Sequence, residues 1–215
     1  AFPISFLVGK SVVMGTDVYT KNLFEIQNQL YYSLGGEADK QLLIPAKNPE
    51  TSLHNINTVK DENGILYTKI DGNKESELSW TIKIDNANPL YLYLNTPDRT
   101  NDDMAEIYVD DVFIGKYMSV DRYGILPLGK FETGKSISEK LKMLQPNLKL
   151  NQVYFYYEDW DLLQNFSKKI QENAVTLSSV SDSHLSGNAV VKSDDLYLFF
   201  SIPYDDDWTV SIDAE

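Results

Sequence analysis

The side chains that could do chemistry are mostly acids gathered at turns. Asp98, Asp102 and Asp103 flank Arg99-Thr100-Asn101 and offer several oxygens to a hard cation. Calcium takes such carboxylates, but the spacing is not that of an EF-hand and its closing Glu is missing. Asp205-Asp206-Asp207 is a second run that could help hold Ca²⁺ at a sheet edge. Solvated turn acids are the plainer reading of both, and Ca²⁺ is the one cofactor these residues allow. His54 and His184 lie far apart, and polar histidines near turns are ordinarily exposed. The chain has no Gly-x-Ser-x-Gly and no Gly-x-Gly-x-x-Gly, so those nucleophile and dinucleotide-cradle motifs are missing. A carboxylate pair for glycoside hydrolysis needs only spatial proximity, and among 32 acids sequence cannot pick one out. Trp80, Trp160 and Trp208 could stack on a sugar ring. Each also sits on the apolar side of its own element, so core packing is expected first. The candidate glycan-binding set is Tyr204, Asp205, Asp207 and Trp208.

The elements that must position these residues are mainly strands. Trp80, Ile82 and Ile84 alternate with Thr81, Lys83 and Asp85, the pattern of a half-buried antiparallel strand. Leu90 to Leu94 alternates leucine with tyrosine, so both faces should be covered. Ile107-Tyr108-Val109, Asp110-Asp111 and Val112-Phe113-Ile114 read as a hairpin with a two-residue turn. Residues 135–144 favour a strand, although Glu139 interrupts the alternation. Val153–Tyr157 is an aromatic strand, and strands are expected again at Val175–Val180, Asn188–Val191, Leu196–Ile202 and Trp208–Ile212. Two helices stand out. Asn22 caps the first, with Glu25 at the capping-box position, an apolar face of Leu23, Ile26, Leu30 and Leu34, and a Gly35-Gly36 stop. Asp161 caps the second, with Gln164 three residues on and a stripe of Trp160, Leu163, Phe166 and Ile170.

Many short strands with few helices predict a mainly β protein. The expected architecture is an antiparallel β-sandwich, jelly-roll or galactose-binding-like, with two or three short helices. The expected organisation is an N-terminal segment with a helix over 1–40 and the sandwich over 41–150. A strand–helix–strands portion over 151–215 packs on it, or all three form a single domain.

Length and charge bound the function. The 215 residues carry 19 basic and 32 acidic side chains, a net charge of −13. The charge is uneven, net −3 over residues 1–100 and −10 over 101–215. Such a balance excludes a general nucleic-acid binder and disfavours docking on anionic lipid. There is no cysteine, hence no disulfide and no thiolate site, which fits an exported protein. No stretch reaches the roughly 18 apolar residues of a membrane-spanning helix. A start at Ala1 without Met leads us to expect a piece of a longer protein.

Two segments resemble the extracellular part of the YfhO-type bacterial membrane proteins. One is Ala1-Phe2-Pro3-Ile4-Ser5-Phe6-Leu7-Val8 with Asn22-Leu23-Phe24-Glu25-Ile26-Gln27-Asn28-Gln29-Leu30. The other is Leu196-Tyr197-Leu198-Phe199-Phe200-Ser201-Ile202-Pro203-Tyr204-Asp205 running into Trp208-Thr209-Val210-Ser211-Ile212-Asp213. Strands with Tyr91-Leu92-Tyr93 and Val109-Asp110-Asp111 are similar in style and order. This sequence has Asp207 where the family usually has Gly, and Ile212-Asp213-Ala214 where it has Val-Asp-Gly. The resemblance implies a polytopic parent similar to GT-C glycosyltransferases, which would add carrier-borne sugars to a Gram-positive surface polymer such as lipoteichoic acid. It places this segment on the extracellular face of the cell membrane, beside membrane-spanning helices of the same chain, and it transfers no catalytic residue.

The reading that follows is a non-catalytic extracytoplasmic domain whose partner is a cell-surface glycopolymer. A polyanionic polymer would be repelled by the net charge unless cations bridge it or alanyl esters offset it. The alternatives are a carbohydrate-binding module, marked by exposed Trp or Tyr, and a structural spacer, marked by a large apolar patch.

Overall fold

The computed structural model describes residues 3, 5–9, 22–47, 49–97, 101–119, 121, 124–181, 183–192, 196–202 and 205–211. The chain divides into two compact units. One comprises Thr16–Gln29 and Gln41–Trp160, and the other Ala1–Gly15, Leu30–Lys40 and Asp161–Glu215. Among the described residues every strand pair is antiparallel.

The first unit is a sandwich. Its four-stranded sheet runs β10 (Ile125–Gly129), β7 (Leu90–Asn95), β13 (Gln152–Glu158), β2 (Leu43–Pro45). Its five-stranded sheet runs β3 (Glu50–His54), β6 (Glu77–Lys83), β11 (Ser136–Met143), β8 (Ala105–Val109), β9 (Val112–Tyr117). A three-stranded sheet, β12 (Asn147–Leu150), β5 (Gly64–Lys69), β4 (Ile56–Asp61), completes it. Alternation dictates the layers. Leu78, Trp80 and Ile82 of β6 and Ile137, Leu141 and Met143 of β11 face inward, as do Leu90, Leu92 and Leu94 of β7 and Phe155 of β13. Trp80 meets Phe155 edge-on at 5.9 Å, joining the two layers. This is the face-to-face packing of a β-sandwich, and the mainly β architecture with few helices expected from the sequence is the one observed.

The β8–β9 hairpin turns at Asp110 and Asp111, both at positive φ (46° and 65°), as a tight two-residue turn requires. The ambiguous stretch at 135–144 is strand β11, and Glu139 does not break it.

The other unit holds two two-stranded ribbons, β1 (Ser5–Gly9) with β16 (Leu196–Phe200) and β14 (Thr176–Val180) with β15 (Leu185–Asn188). It also holds most of helix α2 (Trp160–Glu172). The ribbon at β15 ends at Asn188, so the strand expected at Asn188–Val191 lies three residues early. Residues 208–211 form no strand. Trp208 and Val210 are both exposed there, and no neighbouring strand pairs with them among the described residues.

Helix α1 (Leu23–Ser33) starts where its cap predicts: the Glu25 N–H donates to Asn22 Oδ1 at 2.9 Å. Its inward face differs from the leucine stripe. Phe24, Asn28 and Tyr31 are buried, while Leu30 is 49% exposed. Aromatic rings bury more surface than leucine. Asn28 is held because its amide both donates to Leu43 O and accepts from Leu43 N–H, each at 2.8 Å. Those two bonds satisfy the free edge of β2. Helix α2 begins at Trp160, one residue before the cap expected at Asp161, and its inward face is Leu162, Phe166 and Ile170 rather than Leu163.

Candidate functional site

The acids singled out by sequence do not converge. Asp102 is exposed and Asp103 half-buried ahead of β8, while Asp98 lies outside the described residues. Among the described residues no three His, Asp or Glu side chains group closely enough to hold a metal ion. Asp205 to Trp208 is an exposed turn. The Asp207 N–H donates to Asp205 Oδ1 at 3.0 Å and the Trp208 N–H to Asp205 O at 3.1 Å, so Asp205 serves its own loop. Trp208 is 40% exposed, against the expectation of core packing, and Tyr204 lies outside the described residues. His54, on β3 opposite Glu77, and His184, between β14 and β15, are both exposed and unrelated in sequence or strand pairing.

A different surface does assemble side chains suited to binding: the outer face of the four-stranded sheet. Alternation turns the leucines of β7 inward and leaves Tyr91 and Tyr93 outward. The same alternation on β13 leaves Tyr154, Tyr156 and Glu158 outward. Register aligns them in rows. Tyr93 lies opposite Tyr154 and Ile125, and Tyr91 opposite Tyr156 and Pro127. The Tyr93 and Tyr154 rings lie parallel within 7° at 6.1 Å. Proline is tolerated in the outer rows because β10 and β2 are edge strands.

Helix α1 covers part of this face. Phe24 stacks on Tyr156 at 4.4 Å and meets Tyr93 edge-on at 6.5 Å. The Asn22 amide donates to the Tyr156 hydroxyl at 3.2 Å. Tyr91, Tyr93 and Tyr154 remain half-exposed. Burial is the main cause that lifts the Tyr154 and Tyr156 phenols above their ordinary value, so both stay protonated.

One end of the face is polar. The Tyr91 hydroxyl donates to Glu158 Oε2 at 2.8 Å. Burial first, and Glu158 second, hold the Tyr91 phenol above its ordinary value, which keeps it a donor. Trp160 is 46% exposed, against the expectation that it packs in the core. The backbone beneath is pinned by the Glu158 N–H to Pro89 O at 3.0 Å and the Asp159 N–H to Leu42 O at 2.8 Å. Chemically, the arrangement presents aromatic ring faces beside a carboxylate, a surface that can stack on sugar C–H faces and accept hydroxyl protons. The alternating Tyr91/Tyr93 and Tyr154/Tyr156 patterns were visible in the sequence. Their neighbourhood was not, because it depends on the pairing of β7 with β13, which are some sixty residues apart.

Trp80, by contrast, is 4% exposed and belongs to the core. Among the described residues no helix is long and apolar enough to cross a membrane.

Two solved structures are similar over about half of this chain. One is a family 35 carbohydrate-binding module from Clostridium thermocellum, at 8% identity and a TM-score of 0.37, covering 54% of this chain and 96% of that one. The other is the C-terminal family 6 module of the marine laminarinase LamC from Zobellia galactanivorans, at 11% identity and a TM-score of 0.34, covering 53% and 97%. No curated protein matches. The family model described as bacterial membrane protein YfhO matches residues 1–215, and the chain therefore belongs to the YfhO family.

Proposed function

We propose that this is a non-catalytic, extracytoplasmic domain of a multi-pass YfhO-type protein, and that it holds a surface glycopolymer beside the membrane-embedded part. The parent would act as a GT-C-type glycosyltransferase that decorates a Gram-positive polymer such as lipoteichoic acid, with chemistry in residues outside this segment. The observation that carries the holding role is the outer face of the four-stranded sheet, where Tyr91, Tyr93 and Tyr154 stand half-exposed in register. Ring faces in a row suit a linear chain of sugars or polyols, whose C–H surfaces stack without a charge requirement. The net charge of −13 makes binding of a polyanion weak and salt-dependent. Ca²⁺ bridging, with Asp102, Asp103 or Asp205 to Asp207 as contributing acids, would strengthen it.

Titration of the ¹⁵N-labelled chain with teichoic-acid fragments, with and without Ca²⁺, tests the role. Amide shifts centred on β7 and β13 are expected, and the double variant Tyr93→Ala/Tyr154→Ala should weaken them about tenfold. The absence of heat and of shifts under both conditions refutes it. The placement is tested separately, because the chain has no cysteine. A single Thr51→Cys in the full-length protein, with any other cysteines removed, should react with a membrane-impermeant maleimide on intact cells. Protection until lysis refutes the extracellular placement.

A further inference from the structure

We infer that Tyr91 and Glu158, at the polar end of the tyrosine face, form a subsite for a small alkylammonium group carried by the held polymer, and that this subsite selects the cation over an uncharged group of the same shape. The inference rests on the glycan-holding reading above and assigns the substituent that the polymer carries.

The face itself is poor in positive charge. On β2, β7, β10 and β13 no outward position among the described residues holds a lysine or arginine. Glu158 is the acid of that face, and among the described residues no lysine or arginine pairs with it. The net charge of −13 surrounds it with a negative field. An ammonium group gains from both, whereas an unsubstituted polyanion is repelled by both.

Tyr91 supplies the ring. The face of a tyrosine ring is negative and attracts alkylammonium groups. The Tyr91 hydroxyl donates to Glu158 Oε2 at 2.8 Å. Donation to a carboxylate polarises the phenol and makes its ring face more negative. The same bond orients the ring, and β7 is held between β10 and β13, so the pair is ordered before a ligand arrives. Tyr91 and Glu158 are both half-buried, and Pro127, opposite Tyr91 on edge strand β10, is exposed. This end of the face therefore stays open to solvent. Glu158 keeps acceptor capacity beyond its bond to Tyr91, which suits a charge-assisted bond from an N–H donor. Successive outward positions on one strand lie about 7 Å apart. A polymer backbone stacked on the Tyr93–Tyr154 pair thus brings a short side group onto Tyr91.

Two kinds of substituent share this chemistry, an aminoacyl ester and a quaternary ammonium, and matched probes on the ¹⁵N-labelled chain separate them. One pair is alanine methyl ester against methyl lactate, at about pH 6, where the α-amino group is protonated. The other is choline against neopentylcarbinol, its uncharged carbon isostere. The cation should shift the amides of residues 90–92 and 157–159, with affinity at least about fivefold above its uncharged partner. A response to the ester alone marks an aminoacyl group and a response to choline alone a quaternary one, and either supports the subsite. Glu158→Gln, close in size, should narrow the gap within a pair, and Tyr91→Leu should abolish the response. If Tyr91→Leu disrupts the sheet, Glu158→Gln decides. Equal affinity within both pairs, or a gap that Glu158→Gln leaves unchanged, overturns the cation selection. Absence of shifts with both cations overturns the subsite. If teichoic-acid fragments still shift β7 and β13 in that case, the glycan-holding reading stands without it. Silence with the probes and the fragments alike sinks both.

Discussion

Glu139 shows how much a single side chain can hide. In the sequence it interrupts the alternation of Ile137, Leu141 and Met143; in the structure it faces inward with them. It is fully buried, in register between Trp80 and Val109, and neither carboxylate oxygen has a partner among the described residues. Burial holds its acid well above the ordinary carboxylate range. The folded protein thus keeps a proton that the unfolded chain releases near its pKa of about 4.3. The stability tied to that proton is complete below the unfolded value and falls as pH rises through the folded one. Glu139→Leu should raise stability at neutral pH by about 1–3 kcal/mol and flatten this part of the pH dependence. Urea midpoints taken at a series of pH values check it, and a lower midpoint for the variant at neutral pH would contradict it. The alternation rule placed Glu139 in a strand correctly. Its direction was illegible because an isolated carboxyl breaks the polarity rule that makes direction readable.

At the scale of elements, ends were more legible than faces. Asn22 caps α1 as read, and the helix stops at Gly35, whose φ is +90°. The Gly36 N–H bonds Tyr31 O at 2.9 Å and the Gly35 N–H bonds Tyr32 O at 3.0 Å, the paired bonds of a Schellman stop. The need for the second glycine comes from elsewhere. A Cβ on Gly36 would lie 2.5 Å from the Tyr31 ring. That ring is held by its hydroxyl, which accepts from the Glu37 N–H at 2.9 Å, and by Phe166 edge-on at 4.8 Å. Gly36→Ala should therefore cost about 1–3 kcal/mol, read as a lower denaturation midpoint; an unchanged midpoint would mean that Tyr31 can give way. The helix faces were misjudged for one reason. Leucine spacing reports apolarity, whereas burial went to Phe24 and Tyr31 for their area and to Asn28 for two backbone hydrogen bonds.

At the scale of the molecule the two units differ in how they are held together. The sandwich unit joins four- and five-stranded sheets through a shared core. The other unit carries its strands as two-stranded ribbons, and such ribbons are marginal by themselves. Hydrogen exchange should find the slowest amides in β6, β7 and β11 and the earliest exchange in β14 and β15. Uniform protection across these strands would contradict that ranking. Surface ion pairs add little to either unit. Lys140–Asp111 and Lys149–Asp61 join neighbouring chain segments at 2.6 and 2.7 Å, but their acids are largely exposed, where solvent screens such pairs.

The sequence by itself determined what depends on near neighbours. Period-two alternation made the protein mainly β and set the inward side of β6. Asp110-Asp111 made the hairpin, and Asn22 and Gly35-Gly36 bounded the first helix. Tertiary structure decided which strands lie side by side, and with that the candidate site. Tyr91 and Glu158 meet, and Tyr93 stacks on Tyr154, only because β13 pairs with β7 in one register. Shifting that register by one residue would turn every tyrosine to the other face. It is chosen by the closing of a shared core across a long intervening chain, a global balance of burial against loop entropy that no local spacing encodes.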